Sequence, residues 1–421
     1  MRLWSTGRIL AALTVAIAGL GAPAADATAQ EPSTRIEGKI TYGGAGEGAQ
    51  APLGKGAPTA SGAALAAAST RPPGGADYNY ADLTYEQCTN TTVPPQPQNP
   101  AEQLPSGWAA NAFFWCRVSH VYAESRRGDR QVVGRLEFDV VSMGYAYQGE
   151  RGVSFTHYVS NVRPNGDLID GKVALSADWD RYSGKSYPTS SNGNKLKYVD
   201  MKDFGRTSIV SESYVADESI GDSSDEKVWQ GKVGFDWAVA GPDSIGVAKD
   251  KYKIDVRFDS AKYLTYKSGS VFVDWFPRIE YNANDPKVKE TAAHILKAQT
   301  DPANTKPEAP GKVIAGGPTG KALHRLLGSD PDALKNRAAA KKVCNQHWPN
   351  YSSQGKDCDE YPFATTQERQ GGESTNYSAF PVDSQDNQEA GRRLSKFVGE
   401  MRILEGDDYY VRIETKCEKF C

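Results

Sequence analysis

Apolar and polar positions alternate with a period of two through much of the first two-thirds of the chain. The runs at residues 132–140, 152–159, 252–258 and 269–276 set β-branched and aromatic residues against polar ones, as with Leu136, Phe138 and Val140 against Arg135, Glu137 and Asp139. Alternation of this composition predicts strands with one buried face. Turn sequences punctuate the runs, among them Asn165-Gly166-Asp167 and Ser191-Asn192-Gly193-Asn194. About eight short strands over roughly two hundred residues predict an all-β, sandwich-like domain over 78–281. Trp108, Trp115, Trp237 and Trp275 are expected to fill its core, since large aromatics dominate core burial. His120 and His157 also lie here, but no catalytic constellation is visible in this region.

After residue 281 the period changes. Val288, Ala292, Ile295 and Leu296 fall at i, i+4, i+7 and i+8 and predict a helix over 286–300, in which His294 reads as an ordinary helix residue. Pro302, Pro307, Pro310, Gly311, Gly316, Gly317, Pro318 and Gly320 follow, the composition of an extended linker. A short helix is expected over 321–328. Ser329 is placed to cap the next, with Pro331 at its start and Leu334, Ala338 and Val343 along it. A strand or turn is expected over 357–364 and a polar loop containing Gly371-Gly372 over 365–380. A helix over 387–401, capped by Asp386 or Ser384, has Leu394, Phe397, Val398 and Met401 as its apolar face, and a strand closes the chain at 409–413. The expected class is therefore α+β, with a β-rich domain over 78–281, a helix and linker over 282–320, and a small α+β domain over 321–421.

The N-terminus changes the setting. Arg2 and Arg8, the apolar run 9–20 and the small-x-small site Ala27-Thr28-Ala29 predict a signal peptide over 1–29. That run is too short to cross a bilayer, so a secreted, extracellular chain without stable membrane insertion is expected. Residues 30–77, dominated after Gly43 by small and polar residues, read as a disordered tether. Six cysteines suit disulfides in an oxidising compartment: Cys88 with Cys116, Cys344 with Cys358, and Cys417 with Cys421, with zinc as a competing use of the last four. The net charge of −3 supplies no global basic field, so contact with nucleic acid requires a local patch. Oligomeric state is left open.

The chemistry concentrates in Cys358-Asp359-Glu360-Tyr361-Pro362-Phe363-Ala364. Adjacent carboxylates repel, which favours a bound proton or cation, and their oxygens suit hard divalent ions. Pro362 lacks an N–H and places the pair at a strand end or in a loop. Gln370-Gly371-Gly372 and Asp386-Asn387-Gln388-Glu389-Ala390-Gly391 follow. Taken singly, an Asp-Glu pair is solvated surface and Asp-Asn before a helix is a cap. In this order, from about residue 322 to 413, they resemble the NucA/NucB family of secreted deoxyribonucleases, with its Asp-Glu-aromatic-Pro-x-Ala block, a Glu shortly before Gly-Gly, and an Asp-Asn-x-x-x-Gly helix start.

The resemblance implies a ββα-metal-like nuclease domain, DNA as partner, and hydrolysis of phosphodiester bonds without sequence preference, using one Mg²⁺ or Mn²⁺. It implies catalytic Asp359, Glu360 and Asn387, with Glu360, Asn387 and Glu368 as metal ligands and Glu373 as the alternative to Glu368. The roles of base and ligand are not divided between Asp359 and Glu360. Arg369, Arg392, Arg393 and Lys396 are candidates for phosphate contact, against an ion pair of Glu389 with the two helix arginines. His347 reads as surface. A glycosidase fits poorly, because its two carboxyl groups must flank a bond and neighbouring strand residues point to opposite faces. The remaining alternative is a secreted binding or adhesion protein using the β-rich half.

Overall fold

The chain was described from a computed structural model, over residues 34–42, 85–89, 107–128, 131–181, 188–190, 198–204, 209–217, 219, 226–275 and 277–415. The predicted signal peptide, the tether beyond residue 42, the second predicted turn and the Cys417–Cys421 pair lie outside these residues.

Two curled antiparallel sheets make up the β-rich half. One orders strands Thr34–Tyr42, Phe114–Arg127, Gln131–Ala146, Gly152–Gly166, Ile209–Val215 and Thr189–Ser190, with Trp108–Asn111 also pairing with Phe114–Arg127. The other orders Ser268–Phe272, Ile254–Ala261, Glu226–Ala240, Lys172–Arg181 and Val199–Asp200, with Ile245–Ala248 beside Glu226–Ala240. Thr34–Tyr42, expected within the tether, is a paired strand: its alternating Ile36 and Ile40 give it an inner face. The alternation works as predicted in Gln131–Ala146, where Leu136, Phe138 and Val140 are buried. Side chains of both sheets meet in one core, as in Phe138 against Trp237 and Phe155 against Phe235. Trp115 and Trp237 are buried there, while Trp108 and Trp275 are half-buried against it. The Cys88–Cys116 disulfide ties a short helical turn, Tyr85–Thr89, to the first sheet.

The C-terminal part begins earlier than the sequence suggested. Strand β1 (Arg278–Asn282) pairs in parallel with a strand at the far end of the chain, Asp408–Glu414. Helix α1 (Lys289–Thr300) packs Ala292, Ile295 and Ala298 inward. The expected linker is packed too: buried Lys312 donates to Thr305 Oγ1 at 2.7 Å and to the Pro307 carbonyl at 2.7 Å. Residues 321–328 form a short strand rather than a helix, β2 (Leu323–His324), because Leu323 is drawn into the ladder with Asp408–Glu414. Helix α2 (Pro331–His347) is capped by Asp330 rather than Ser329, through the Asp332 N–H at 2.7 Å. Its buried face is Ala333, Asn336, Ala340 and Val343, so Leu334 points outward. Strands β3 (Lys356–Tyr361) and β4 (Ser378–Asp383) form an antiparallel pair. Helix α3 (Ser384–Glu400) follows directly, capped by Asp383, and β5 (Asp408–Glu414) closes the sheet. The Cys344–Cys358 disulfide fastens α2 to β3.

Buried charges join the two halves. Asp259 accepts from Arg402 Nε at 3.1 Å and from Arg257 Nε at 3.2 Å, and Arg257 Nη1 reaches Asp407 at 2.5 Å. Asp259 and Arg402 are both buried. Removing one member leaves the other charges without their partner in low dielectric. Asp259→Ala is expected to cost about 3–5 kcal/mol of stability, against a small effect for a surface aspartate such as Asp170. Urea denaturation measures it, and a loss below about 1 kcal/mol would contradict this role.

Candidate active site

Among the described residues β3 pairs with β4 alone, and the Ala379 N–H of β4 donates to the Lys306 carbonyl on β4's other side at 2.8 Å. The free edge of the pair therefore belongs to β3. A cleft of about 620 Å³ runs along that edge, and five consecutive residues of β3, Lys356 to Glu360, contribute to its lining. A cleft along a strand edge meets side chains from both faces. Asp359 and Glu360, which alternate across the strand, thus share one cleft. Helix α2 forms one wall with Arg337 and Lys341, and α3 the other with Asn387, Gly391 and Leu394.

Asp359 is 5% exposed and held from behind. His294 Nδ1 lies 2.6 Å from its Oδ2, and His294 Nε2 lies 2.7 Å from Ser378 Oγ on the neighbouring strand. Glu360 is half-buried, and its carboxyl is pushed up to about 7, first by burial and then by the Asp359 charge, against the pull of Arg369 and Arg337. The carboxylate pair thus creates a place where a proton or cation is favoured.

Asn387 stands across the cleft near the start of α3. Asp386, expected to cap α3, instead caps α1: its carboxylate accepts from the backbone N–H of Glu290 at 2.8 Å and of Thr291 at 3.0 Å. This docks α1 beside the cleft. Thr291, 1% exposed, is part of the lining, and its Oγ1 has no hydrogen-bond partner.

Several expected residues are elsewhere. Glu368 is engaged with His324, Oε1 lying 2.5 Å from Nδ1 and Oε2 accepting the His324 N–H at 3.1 Å, and the other ring nitrogen of His324 faces Asp408 at 3.1 Å. It does not line the cleft. Arg369 is fully buried: it donates to the carbonyls of Asn336 at 2.8 Å and Pro362 at 3.1 Å, and lies 3.7 Å from the Tyr377 ring centre. The Gly-Gly turn serves the same packing. Gly372 has φ +84°, and a Cβ there would come within 3.0 Å of the Ala339 side chain on α2. Arg392 pairs with Glu389 at 2.6 Å, and Arg393 with Glu389 at 2.9 Å and Asp285 at 2.7 Å, the competing use of this helix face.

The cations of the cleft are others. Arg337 and Lys341 are exposed on α2 four residues apart, and Lys356 begins β3. Two basic residues at i and i+4 on the helix before the acidic block were a readable signal for this rim. Thr291 and His294 had a signal too: polar residues inside the buried stripe of α1.

No three His, Cys, Asp or Glu side chains converge as a metal cluster among the described residues. The oxygen donors lining the cleft include the carboxylates of Asp357, Asp359 and Glu360 and the Asn387 amide. This set fits Mg²⁺ or Mn²⁺ held by few protein oxygens, with water and substrate phosphate completing the shell. The unpartnered Thr291 hydroxyl fits a site that receives a polar guest.

Carboxylates and cationic side chains thus line the same cleft. Residues 328–412 match the model of the family described as deoxyribonuclease NucA/NucB. This C-terminal region belongs to that family, and the protein is an enzyme of the deoxyribonuclease class. No curated protein and no solved structure matches the chain.

Two outcomes follow from these placements. Arg369→Ala should destabilise by about 2–4 kcal/mol, through two unpaired carbonyls and a lost cation–aromatic contact. Normal melting of that variant with lowered DNA affinity would instead make Arg369 a phosphate contact. For Glu360, the folded carboxyl holds its proton more tightly than the unfolded one. Without divalent cation, stability should fall as pH rises from about 4.5 to about 7 and level off above. Melting curves of parent and Glu360→Gln across that window check this, and identical pH dependence in the two would refute it.

Proposed function

We propose that the protein is a secreted, divalent-metal-dependent endonuclease that hydrolyses phosphodiester bonds of DNA without sequence preference. The observation that carries this reading is the convergence of Asp359, Glu360 and Asn387 in one cleft rimmed by Arg337, Lys341 and Lys356. The antiparallel β3–β4 pair running directly into α3, with Asn387 in the first turn, fits a ββα-metal nuclease. Cationic rim residues meet phosphates whatever the bases, which suits cleavage without sequence preference. Secretion is supported by the signal-like start at residues 1–29 and by the Cys88–Cys116 and Cys344–Cys358 disulfides.

In this reading Glu360 and Asn387 hold the cation. A divalent ion held there would supply neutralisation of charge on the phosphate and on the leaving oxygen. Asp359 takes a proton from the water that attacks phosphorus as the bond from phosphorus to the leaving oxygen breaks. Arg337 and Lys341 hold the flanking backbone.

Plasmid digestion by the full chain tests the proposal. Cleavage should occur with Mg²⁺ or Mn²⁺ and stop in excess EDTA; undiminished cutting in EDTA would sink it. Glu360→Gln and Asn387→Ala should each lower kcat/KM roughly 10²–10⁴-fold in folded protein. Arg337→Ala with Lys341→Ala should chiefly raise KM and flatten the salt dependence, since two phosphate contacts are lost.

A further inference from the structure

Helix α1 precedes the family-matched region, 328–412, yet two of its side chains serve the cleft. Thr291 lines it and His294 grips Asp359. The helix is fixed where it is by Asp386, a residue of the matched region, whose carboxylate accepts two backbone N–H groups at the start of α1. The dock orients the helix, and the helix orients the histidine.

We infer that His294 is a positioning residue of the nuclease site, holding Asp359 Oδ2 so that Oδ1 is the oxygen turned to substrate. This rests on the proposal that the cleft hydrolyses phosphodiesters with Asp359 as base. His294 is 6% exposed, with both ring nitrogens engaged, so it does not itself meet substrate. The contacts fix the ring's orientation: Nδ1–H donates to Asp359, and Nε2 shares a hydrogen bond with the Ser378 hydroxyl. Phe380, the cross-strand partner of Asp359, stacks at a tilt on the ring at 5.7 Å and closes the outer side. A carboxylate with one oxygen bound and its rotamer locked is presented in one orientation. Orientation of this kind is worth about 10²-fold in rate for a displacement near 1 Å. A histidine that merely stapled α1 to the β3–β4 pair would affect melting but would not act through Asp359.

The test uses the full chain with Mg²⁺ and a defined DNA substrate. His294→Leu should lower kcat about 10²-fold with KM within about threefold of parent. His294→Asn, whose amide can donate to Asp359, should recover about a tenfold part of that loss. In an Asp359→Asn background, His294→Leu should cost nothing further. A folded His294→Leu with parental kcat overturns the proposal, as does a loss that adds in full to that of Asp359→Asn. Should His294→Leu fail to fold, Ser378→Ala keeps the ring and carries the test, with a fall in kcat expected and a parental kcat refuting the proposal.

A second readout needs no turnover. With the chain's five histidines ¹⁵N-labelled, one imidazole should show a slowly exchanging, downfield Nδ1 proton that Asp359→Ala abolishes. Its absence from the parent protein overturns the proposal whatever the activity. A parent protein that shows this proton but cuts no DNA would defeat the nuclease reading and leave the His294–Asp359 contact standing.

Discussion

The carboxylate of Asp386 is the contact on which the site depends. It accepts the N–H of Glu290, a residue 96 positions earlier in the chain, and the N–H of Thr291. Those donors are among the first of α1 and would lack partners within that helix. One buried carboxylate thereby satisfies a helix start, locks α1 against α3, and sets Thr291 and His294 against the acidic strand. Stability and site geometry share this one interaction.

The same economy appears where the β-rich half meets the C-terminal part. Asp259 lies between Arg402 and Arg257, and Arg257 reaches Asp407, just before β5. From that seam Arg325 extends over the Tyr263 ring at 5.2 Å and forms part of the cleft wall. The β-rich half therefore braces one wall of the cleft. The parallel pairing of β1 with β5 ties the chain segment leaving that half into the sheet beside the site.

Much of this was readable from residue pattern, and the failures have physical causes. Strands such as Gln131–Ala146 followed from alternation, and α1, α2 and α3 from helical periodicity, because burial on one face writes itself into spacing. Caps were misassigned by one to three residues: Asp330 and Asp383 compete with neighbouring Ser329, Ser384 and Asp386, and only geometry decides among adjacent acceptors. The linker looked extended because its prolines and glycines hide the buried Lys312 that stitches it. Asp359, Glu360 and Asn387, singled out by their motif, line one cleft. Glu368 and Arg369 carried the same motif logic but were drawn away, one to His324 and the other into the packing under Tyr377. His294 was passed over because its partner lies 65 residues downstream, a distance no local pattern spans.

The position of a bound cation is the most direct test of the site. Crystals of the full chain soaked in Mn²⁺ with a short DNA duplex would locate it by anomalous scattering. A single strong peak is expected in the cleft, beside oxygens of Glu360 and Asn387 and a phosphate oxygen. A peak among His324, Glu368 and Asp408, or a cleft holding DNA with no ion near Glu360, would contradict it.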